Sequence, residues 1–313
     1  MTSVYTDIKN LPDAARGCVV AIGNFDGVHP GHRALIKQAG DIAASLNAPL
    51  GIITFEPHPR QFFQPAGEPF RLSLAPMKHR LLQECGAAHI FSLPFNHELS
   101  QLTAQEFIDK ILVGALNVKH IVVGENFAFG KGRSGTVATL AESEKFGLTV
   151  VQPVASPEGQ IYSSSAIRTL LRQGDFAAAE KLLGWPWQIE MPVAHGDKRG
   201  RELGYPTANQ NVPEYIRIPY GIYAVRVLIE DESQWREGAA NFGIRPMFEI
   251  AQPIFETFIF DFSSEIYGKN MRVQPVRHLR SEQAFKGIPA LIAQMKEDCI
   301  AARAVLKSKH VYR

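Results

Sequence analysis

Two histidines three residues apart are the side chains of this sequence best suited to hold a phosphate group. His29 and His32 close a glycine-containing loop, residues 23–32, that follows a short apolar run and leads into a helix-forming segment. Glycine permits sharp turns and close approach by a ligand, and a helix N-terminus presents free N–H groups at the positive end of the helix dipole. We therefore predict a phosphate site here. A Walker A loop is excluded because no Gly-Lys-Ser/Thr follows. The alternatives, capping histidines or a metal pair without a third ligand at suitable spacing, are weaker.

A run of serines followed by an arginine is the second candidate phosphate contact. Residues 162–168 read Tyr-Ser-Ser-Ser-Ala-Ile-Arg. Hydroxyl groups at the start of a helix both cap it and contact phosphate, and Arg168 adds a fixed positive charge one turn later. A serine-rich helix start is by itself more often structural. Its occurrence alongside the histidine pair favours a functional role for Ser163, Ser164, Ser165 and Arg168.

Two further loops combine aromatic, glycine and basic residues, a composition that suits a planar ring lying beside a phosphate. Residues 55–60 read Phe-Glu-Pro-His-Pro-Arg, and residues 126–133 read Asn-Phe-Ala-Phe-Gly-Lys-Gly-Arg. For Phe127 and Phe129, a place in the hydrophobic core is an equally good interpretation. The candidate ring-binding residues are Pro57, His58, Pro59, Asn126, Phe127 and Phe129.

The second half of the chain carries a different candidate phosphate site, in a segment rich in glycine and cations. Gly200 and Gly204 allow backbone N–H groups to turn toward an anion. Thr207 and Asn209 are two residues apart in an extended segment, so their oxygens point the same way toward a hard cation such as Mg²⁺. Further on, Glu256 interrupts an apolar strand pattern. It is either an outward-facing solvated carboxylate or a base for an alcohol nucleophile.

The elements that must position these residues alternate between strands and helices in the first half. The predicted strands are residues 18–22, 50–55, 120–123 and 149–151, and the predicted helices begin at Pro30 and run over 104–112 and 137–146. Strand, helix and strand in repetition indicate a parallel sheet with right-handed crossovers. Ligands bind such sheets beyond the carboxyl ends of the strands, and the loops described above follow three of these strands.

Beyond residue 187 the pattern changes to the two-residue period of antiparallel strands with one solvated face. A helical stretch over residues 165–183 ends at a Gly-Trp-Pro-Trp seam. Alternation is clearest over residues 222–229 and 255–262, and a helical pattern over 284–307 closes the chain. We predict a small β-barrel or sandwich with one C-terminal helix.

Composition bounds the class of protein. The chain has 313 residues, is 45% hydrophobic, and sets 33 lysines and arginines against 31 acidic residues. That length accommodates two domains, the apolar content excludes disorder as the main state, and the balanced charge argues against a nucleic-acid partner. Its three cysteines are too few and too far apart in the sequence to form a disulfide scaffold or a zinc site. Because it shows no signal peptide and no apolar run of about 18 residues, we expect a cytoplasmic protein without membrane contacts.

Taken together, these motifs resemble those of the bacterial bifunctional riboflavin kinase/FMN adenylyltransferases, often called FAD synthetases. Residues 29–32, His-Pro-Gly-His, are similar to the His-x-Gly-His of the nucleotidyltransferase superfamily, and residues 162–168 are similar to its Ile-Ser-Ser-Thr-x-x-Arg. The resemblance runs from about Val19 to the C-terminal helix. It implies an α/β, Rossmann-like nucleotidyltransferase domain over residues 1–185. It also implies a six-stranded antiparallel β-barrel of the riboflavin kinase type, with a C-terminal helix, over residues 186–313.

The resemblance implies a chemistry for the candidate residues, with riboflavin, FMN and FAD as substrates or products. Glu256 matches the base that takes the proton of the ribityl 5′-hydroxyl, and Thr207 and Asn209 match the residues that hold Mg²⁺ and ATP. In the other half, FMN attacks the α-phosphate of a second ATP beside the histidine pair and Arg168. The implied ATP contacts of the adenylyltransferase are Gly23, Asn24, Phe25, Asp26, His29, Gly31, His32, Ser163, Ser164, Ser165 and Arg168. The implied ATP contacts of the kinase are Gly196, Lys198, Gly200, Arg201, Gly204, Pro206, Thr207 and Asn209.

Four positions depart from the family pattern. Met247 replaces a threonine, Met191 stands where a glycine is usual, Ser165 replaces a threonine but keeps the hydroxyl, and Tyr162 replaces an aliphatic residue. One alternative is therefore an adenylyltransferase whose second domain binds flavin with weak or no kinase activity. A flavin-binding regulator without catalysis, and a transferase for another substrate such as pantetheine phosphate, explain fewer of the motifs. We expect a monomer or a weak homo-oligomer acting on small molecules.

Overall fold

The chain, in a computed structural model, divides into two compact units. The first unit comprises Met1–Glu68 and Ala75–Ser164, and the second comprises Pro69–Leu74 and Ser165–Arg313. The structure describes residues 2–196, 199–244 and 253–308, and for residues 199, 201 and 308 only the backbone. Within these ranges no helix combines the length and the apolar character needed to cross a membrane.

A six-stranded parallel sheet forms the centre of the first unit in the described part of the chain. Its strands are β1 (Ser3–Tyr5), β2 (Val19–Ile22), β3 (Leu50–Glu56), β4 (His89–Pro94), β5 (His120–Gly124) and β6 (Gly147–Val151). The spatial order β1-β4-β3-β2-β5-β6 places β2 between β3 and β5. The chain leaves β2 toward one edge of the sheet and later returns to its other side. This reversal is the place where doubly wound sheets bind their ligands.

Helices connect the strands and bury the core of the first unit. They are α1 (Pro30–Ser45), α2 (Pro59–Phe63), α3 (Ala75–Glu84), α4 (His97–Gln101), α5 (Ala104–Glu106), its π-helical continuation Phe107–Ala115, α6 (Val137–Glu142), and short 3-10 turns at Asp13–Ala15 and Lys131–Arg133. Pro30 suits the first turn of α1 because a backbone N–H at that position would have no acceptor within the helix, and proline has no N–H. The buried face of α1 carries Leu35, Ile36 and Ala39, and it packs against β2, β3 and β5. The carboxyl end of β2 therefore leads onto a helix fixed by the core.

An antiparallel barrel forms the centre of the second unit. Its strands in the described ranges are β7 (Ile189–Pro192), β8 (Ala208–Asn211), β9 (Gly221–Ile229), β10 (Arg236–Ile244), β11 (Pro253–Ile259) and β12 (Asn270–Arg280). They follow the order β7-β12-β9-β10-β11-β8. A bridge between Ala194 and Asn209 joins the two edges, so the barrel is nearly closed. The amide of Gln210 donates to the carbonyls of Met191 at 2.6 Å and Met271 at 2.7 Å, which ties three strands together.

Helices flank the barrel in the second unit. They are α7 (Ser164–Arg172), which starts on the last residue of the first unit, α8 (Phe176–Leu183), α9 (Arg199–Glu202) and α10 (Ile288–Ser308). α10 packs on the outer face of the barrel, where Ala302 and Leu306 cluster with Ala224 of β9 and Ala239 of β10. This helix thus covers part of the outer wall of the barrel.

The predicted fold class is confirmed. Of the two alternatives for the second half of the chain, it forms a barrel and not a sandwich. The prediction of one helix over residues 165–183 was wrong in one respect, because this stretch forms two helices, α7 and α8. Gly174 has a φ of +75°, and Asp175 caps α8 by accepting the N–H of Ala178. The helix predicted over 137–146 ends earlier, at Glu142, and the last helix begins at Ile288 and not at 284. β1 and β4 were not predicted, since β1 has only three residues and the apolar residues of β4 are interrupted by Ser92 and follow His89.

The segment Pro69–Leu74, here called the strap, lies within the sequence of the first unit but packs with the second. Ile216 donates its backbone N–H to the carbonyl of Arg71 at 3.0 Å. The indole of Trp187 donates to the carbonyl of Leu72 at 2.9 Å. Arg71 and Trp187 are 1% and 3% exposed. The second unit is therefore assembled from two separate stretches of sequence.

Candidate functional site

The histidine pair lies at the N-terminus of α1. His29 caps this helix, since its Nδ1 accepts the backbone N–H of His32 at 3.4 Å. The two imidazole rings stack with 3.6 Å between their centroids and 20° between their planes. Gly31 leaves room for this arrangement, because a Cβ there would come within 3.2 Å of the His29 ring. Both imidazoles are thus held at the positive end of a helix dipole, where an anion is stabilised.

The loop between β2 and α1 has an uncommon backbone. Phe25, Gly27 and Val28 have φ angles of 49°, 84° and 41°, and this left-handed region is costly for a β-branched residue such as Val28. Phe25 is only 1% exposed, and its ring lies edge-on to His32 with 5.3 Å between centroids. Its side chain therefore supports the imidazole from the core. Such strain is typical of loops held in one conformation for a function.

Hydrogen bonds fix the same loop to its surroundings in the first unit. The N–H of Gly23 donates to the carbonyl of Ile53 at 3.1 Å. The hydroxyl of Thr54 donates to the carbonyl of Asn24 at 3.2 Å. The hydroxyl of Ser164 donates to the carbonyl of Asp26 at 2.9 Å. The predicted glycine loop and the start of the predicted serine motif are therefore brought together.

A buried lysine joins the loop to the end of β3. Lys78 of α3 is 0% exposed, and its Nζ lies 2.6 Å from Oε1 of Glu56. The same Nζ donates to Oγ1 of Thr54 at 3.0 Å, to the carbonyl of Phe55 at 3.2 Å, and to the carbonyl of Asn24 at 3.5 Å. A charge is tolerated at such depth only when it is paired and hydrogen-bonded. The sequence analysis missed Lys78, whose signal is its place on the apolar face of α3.

The loop after β3 places the predicted ring-binding residues at the start of α2. His58 caps this helix, because its Nδ1 accepts the N–H of Arg60 at 3.1 Å. Pro57 and Pro59 flank it, and Pro59 is the first residue of α2. His58 as a residue is 9% exposed. This loop therefore has a rigid start, and the structural role of His58 is as a helix cap.

The loop after β5 divides its predicted residues between core and surface. Phe129 is 7% exposed and lies 5.5 Å from Phe107 between ring centroids, so for this residue the core interpretation is correct. Phe127 is partly buried and stacks on Phe129, with 5.6 Å between centroids and 16° between planes. Asn126 is exposed. Of these three side chains, Phe127 and Asn126 retain accessible surface for a ligand.

Arg168 is held by the strap. Its Nε donates to the carbonyl of Phe70 at 2.8 Å, and its guanidinium lies 5.2 Å from the centroid of the Phe70 ring. Arg168 follows Ser164 by one turn of α7, and Ser165 between them is exposed. Ser163 immediately precedes the helix. Ser164, Ser165 and Arg168 therefore lie in the first two turns of α7.

The barrel brings three predicted kinase residues to one wall. Asn209 of β8 and Glu256 of β11 are directly paired across the two strands. A cavity of about 810 Å³ is lined by Thr207, Asn209 and Glu256. A narrower cleft is lined by Thr207 and Asn209 but not by Glu256. Thr207 and Asn209 therefore lie where the two spaces meet, and the carboxylate lies in the larger one.

The predicted glycine-rich segment is placed only in part. Gly196, Gly200 and Pro206 line the narrower cleft. Gly200 is needed for close packing, because a Cβ there would lie 2.3 Å from the carbonyl oxygen of Tyr205. Gly204 has a φ of +84° and lines neither space. Lys198 and Met247 lie outside the described residues, as does the side chain of Arg201.

The far wall of the larger cavity contains residues that the sequence analysis missed. Arg280 of β12 binds Asp298 of α10 through two contacts, Nε–Oδ1 at 2.8 Å and Nη2–Oδ2 at 2.6 Å. Cys299 lines the same cavity. Burial, and then the charge of Asp298, raise the pKa of Cys299 to about 11. The thiol therefore remains protonated at neutral pH.

The fold and the geometry of these sites define the class, a two-domain transferase that uses nucleotides. The chain matches the family model for FAD synthetase over residues 11–166 and that for riboflavin kinase over residues 183–306. It belongs to the bifunctional riboflavin kinase/FMN adenylyltransferase family. The predicted family is thereby confirmed.

Relatives of that name are similar over nearly their whole length. The protein from Escherichia coli (strain K12) is 38% identical over 299 residues, which cover 95% of each chain. The protein from Bacillus subtilis (strain 168) is 38% identical over 288 residues, which cover 90% of each chain. A crystal structure described as a macrolide-efflux protein from Streptococcus pneumoniae superposes with a TM-score of 0.78 and 31% identity, covering 96% of this chain and 98% of that one.

Proposed function

We propose that this chain makes two flavin cofactors in succession. As a riboflavin kinase it transfers the γ-phosphoryl group of ATP to the 5′-hydroxyl of riboflavin, giving FMN and ADP. As an FMN adenylyltransferase it joins FMN to the adenylyl group of a second ATP, giving FAD and pyrophosphate. Membership of a family whose relatives bear both names supports the proposal. The observation that carries it is the pairing of Glu256 with Asn209 in the wall of the barrel cavity.

In the kinase half, Glu256 accepts the proton of the ribityl 5′-hydroxyl as that oxygen attacks the γ-phosphorus. Thr207 and Asn209, at the junction of cavity and cleft, hold the ATP phosphates. The ATP leaves as ADP when its bond to the γ-phosphorus breaks. Phosphoryl transfer of this kind depends on positioning and charge neutralisation. Further proposed ATP contacts are Gly196, Lys198, Gly200, Arg201, Gly204 and Pro206.

Magnesium fits the kinase donor set. The hydroxyl of Thr207 and the carboxamide oxygen of Asn209 are hard oxygen ligands of the kind that Mg²⁺ prefers. Among the described residues no group of three or more His, Cys, Asp and Glu side chains could hold a metal. Mg²⁺ is commonly bound by few protein ligands together with substrate phosphates. When bound, Mg²⁺ neutralises charge on the phosphate oxygens.

In the adenylyltransferase half, an FMN phosphate oxygen attacks the α-phosphorus of ATP and pyrophosphate leaves. His29 and His32 donate hydrogen bonds to the phosphates at the N-terminus of α1, and Arg168 adds positive charge. No covalent enzyme intermediate is needed, because alignment and electrostatic stabilisation suffice. The remaining proposed ATP contacts are Gly23, Asn24, Phe25, Asp26, Gly31, Ser163, Ser164 and Ser165. The proposed flavin contacts are Pro57, His58, Pro59, Asn126 and Phe127.

The remaining properties follow from the small-molecule substrates. We propose a cytoplasmic enzyme, a monomer or weak homo-oligomer, that binds neither nucleic acid nor membranes. We also retain the functional boundary after residue 185, with the adenylyltransferase in residues 1–185 and the kinase in residues 186–313.

A turnover assay with each substrate tests the function. The full chain is incubated with ATP and Mg²⁺ and with either riboflavin or FMN, and the flavins are separated by HPLC. We expect FMN and then FAD from riboflavin, and FAD from FMN. Formation of FAD from FMN while riboflavin remains unchanged would reduce the protein to an adenylyltransferase with a flavin-binding second domain. No product from either substrate would contradict the proposal entirely.

A further inference from the structure

Arg33 of α1 reaches back to the loop that precedes the histidine pair. Its Nε donates a hydrogen bond to the backbone carbonyl of Val28 at 3.2 Å. Val28 is completely buried, whereas the side chain of Arg33 is 35% exposed. In the sequence, Val28 immediately precedes His29, and Arg33 immediately follows His32. One side chain therefore joins the residues on both sides of the histidine pair.

The backbone of Val28 has a conformation that a β-branched residue rarely adopts. Its φ is 41°, in the left-handed region, and a residue stays in this region only where its surroundings determine it. The N–H of Val28 donates to the carbonyl of Phe25 at 3.2 Å. The guanidinium of Arg33 supplies a charge-assisted hydrogen bond on the other side of the same residue. Relaxation of Val28 to an extended backbone would reorient its carbonyl, so the bond from Arg33 opposes that relaxation.

The conformation of Val28 determines where α1 begins and therefore where the imidazoles lie. His29 is the N-cap of α1, and its carbonyl accepts the backbone N–H of Arg33 at 3.0 Å. Its Nδ1 accepts the backbone N–H of His32. Because the cap residue directly follows Val28, a rotation of the Val28 backbone would displace the cap. The stacked rings of His29 and His32 would move with it.

The contact of Arg33 with Glu84 involves a different atom of the guanidinium. Nη2 of Arg33 lies 3.9 Å from Oε2 of Glu84, whose side chain is 53% exposed. Ion pairs in water at this distance contribute little to stability. The bond to Val28 is made by Nε. The two contacts can therefore be removed separately.

We propose that Arg33 is a positioning residue of the adenylyl-transfer reaction. It holds Val28 in the left-handed conformation and thereby keeps His29 and His32 aligned for the phosphates of ATP. This inference rests on the proposed adenylyltransferase function. Its physical basis is that a misplacement of aligned groups by about 1 Å lowers a rate by about 100-fold.

The test is a double-mutant cycle between positions 33 and 28 in the full-length chain. The readout is kcat/KM for ATP in the formation of FAD from FMN. Arg33→Met keeps an unbranched side chain of high helix propensity but has no donor, and we expect a loss of about 10- to 100-fold. Val28→Gly removes the need for support, because glycine adopts a positive φ without strain. With glycine at position 28, Arg33→Met should cost less than about 3-fold.

Matched controls separate positioning from a structural effect. Glu84→Gln removes the ion pair and keeps the size of the side chain, so kcat/KM should stay within about 2-fold of wild type. Arg33→Lys keeps a cationic donor and should lose less activity than Arg33→Met. Circular dichroism should show Arg33→Met folded at the assay temperature, and its formation of FMN from riboflavin should be unchanged. If Val28→Gly does not fold, Val28→Asn takes its place, because asparagine also tolerates a positive φ.

Three outcomes overturn the inference. They are full activity of Arg33→Met, an Arg33→Met chain that is unfolded at the assay temperature, and an equal loss with valine and with glycine at position 28. The last result is the one expected if Arg33 contacted ATP directly. A wild type that forms no FAD from FMN would instead overturn the adenylyltransferase function itself.

Discussion

At the scale of single residues, each proposed reaction depends on a different set of side chains. His29 and His32 stack at the start of α1 in the first unit, whereas Glu256 lines a barrel cavity in the second. The two reactions also use separate ATP molecules. A substitution in one set therefore leaves the other reaction as an internal control for the integrity of the chain.

We expect His32→Ala and Glu256→Gln to have opposite effects. Loss of the imidazole removes stabilisation of the phosphates and should lower FAD formation from FMN by at least about 100-fold. Loss of the base should lower FMN formation from riboflavin by about 100- to 10,000-fold. HPLC of flavins from riboflavin and from FMN measures both. Loss of both activities in either single variant, FMN formation from riboflavin and FAD formation from supplied FMN, would argue against separate sites.

Lys78 provides a second prediction at this scale. Lys78→Met leaves Glu56 without its buried partner and removes donors from Thr54 and from the loop after β2. Breaking a buried pair costs about 3–5 kcal/mol, so the urea concentration that halves FAD formation should fall. FMN formation in the same chain should keep its midpoint.

The exposed pair of Lys37 and Asp41 offers a matched control for that change. These charges lie 2.7 Å apart with side chains 75% and 66% exposed, and such pairs contribute about 1 kcal/mol or less. Lys37→Met should leave the midpoint of FAD formation nearly unchanged. Equal shifts for the two lysine variants would show that the burial of Lys78 does not matter.

At the scale of elements, the contact between α3 and β4 makes the first unit sensitive to acid. His79 of α3 lies 3.0 Å from the hydroxyl of Ser92 in β4. Burial, and then the charge of Lys78, lower the pKa of His79 from its ordinary value of 6.5, although Glu56 acts in the opposite direction. The imidazole of His79 therefore binds a proton more readily in the unfolded chain than in the folded protein. The stability that the folded protein gains from keeping His79 neutral is fully present above pH 6.5. It is lost as the pH falls through the lowered pKa of His79 in the folded protein.

His79→Gln should weaken that acid sensitivity, because glutamine keeps a hydrogen-bonding amide but does not titrate. Thermal unfolding followed by circular dichroism at pH 7 and pH 5 measures the effect. We expect the midpoint temperature of unfolding to be lower at pH 5 than at pH 7 in both proteins. The difference should be smaller in the variant. A residual slope is expected because burial also lowers the pKa of His120. An unchanged slope would mean that His79 does not contribute.

Elements whose signals are local were predictable from the sequence. Pro30 marks the start of α1, and the histidine pair beside it lies within one turn, so motif and element coincide. The parallel sheet followed from the alternation of strands and helices. β1 was missed because Ser3–Tyr5 is stabilised by pairing with β4, 85 or so residues away, and not by its own pattern.

The parts of the sites that depend on distant pairing could not be predicted. Glu256 was recognised as an interruption of an apolar strand, but its neighbours Asn209 and Asn241 come from strands that only the barrel register brings together. Lys78 lies on the apolar face of α3, but its contacts with Phe55 and Glu56 arise only because α3 packs beside the end of β3. Sequence therefore identifies candidate phosphate contacts that form a local motif, and misses the residues that support them from other strands and helices.

At the scale of the whole molecule, the strap makes the second unit depend on a distant part of the chain. A fragment of residues 186–313 lacks the strap, α7 and α8, and the indole N–H of Trp187 then loses its acceptor on Leu72. Leaving that donor unsatisfied costs about 1–3 kcal/mol. A fragment of residues 165–313 still lacks the strap but keeps Phe176, which stacks on Trp187.

We therefore expect stability to decrease from the full chain to residues 165–313 and then to residues 186–313. The urea concentration that halves FMN formation measures this order. Tryptophan emission should shift to longer wavelength in both fragments, because Trp187 becomes more exposed than its present 3%. Equal midpoints for all three proteins would show that the barrel is stable without the strap.

The strap also restricts how this protein could recombine with its relatives. A chimera joined near residue 165 would inherit its strap from one parent and the segment that holds Arg71 and Leu72 from the other. Mismatched parents would then perturb Arg168 as well, since its Nε is held by the carbonyl of Phe70. Exchange between homologues should succeed most often when residues 69–74 travel with residues 165–313, which requires three crossovers, at 68/69, 74/75 and 164/165.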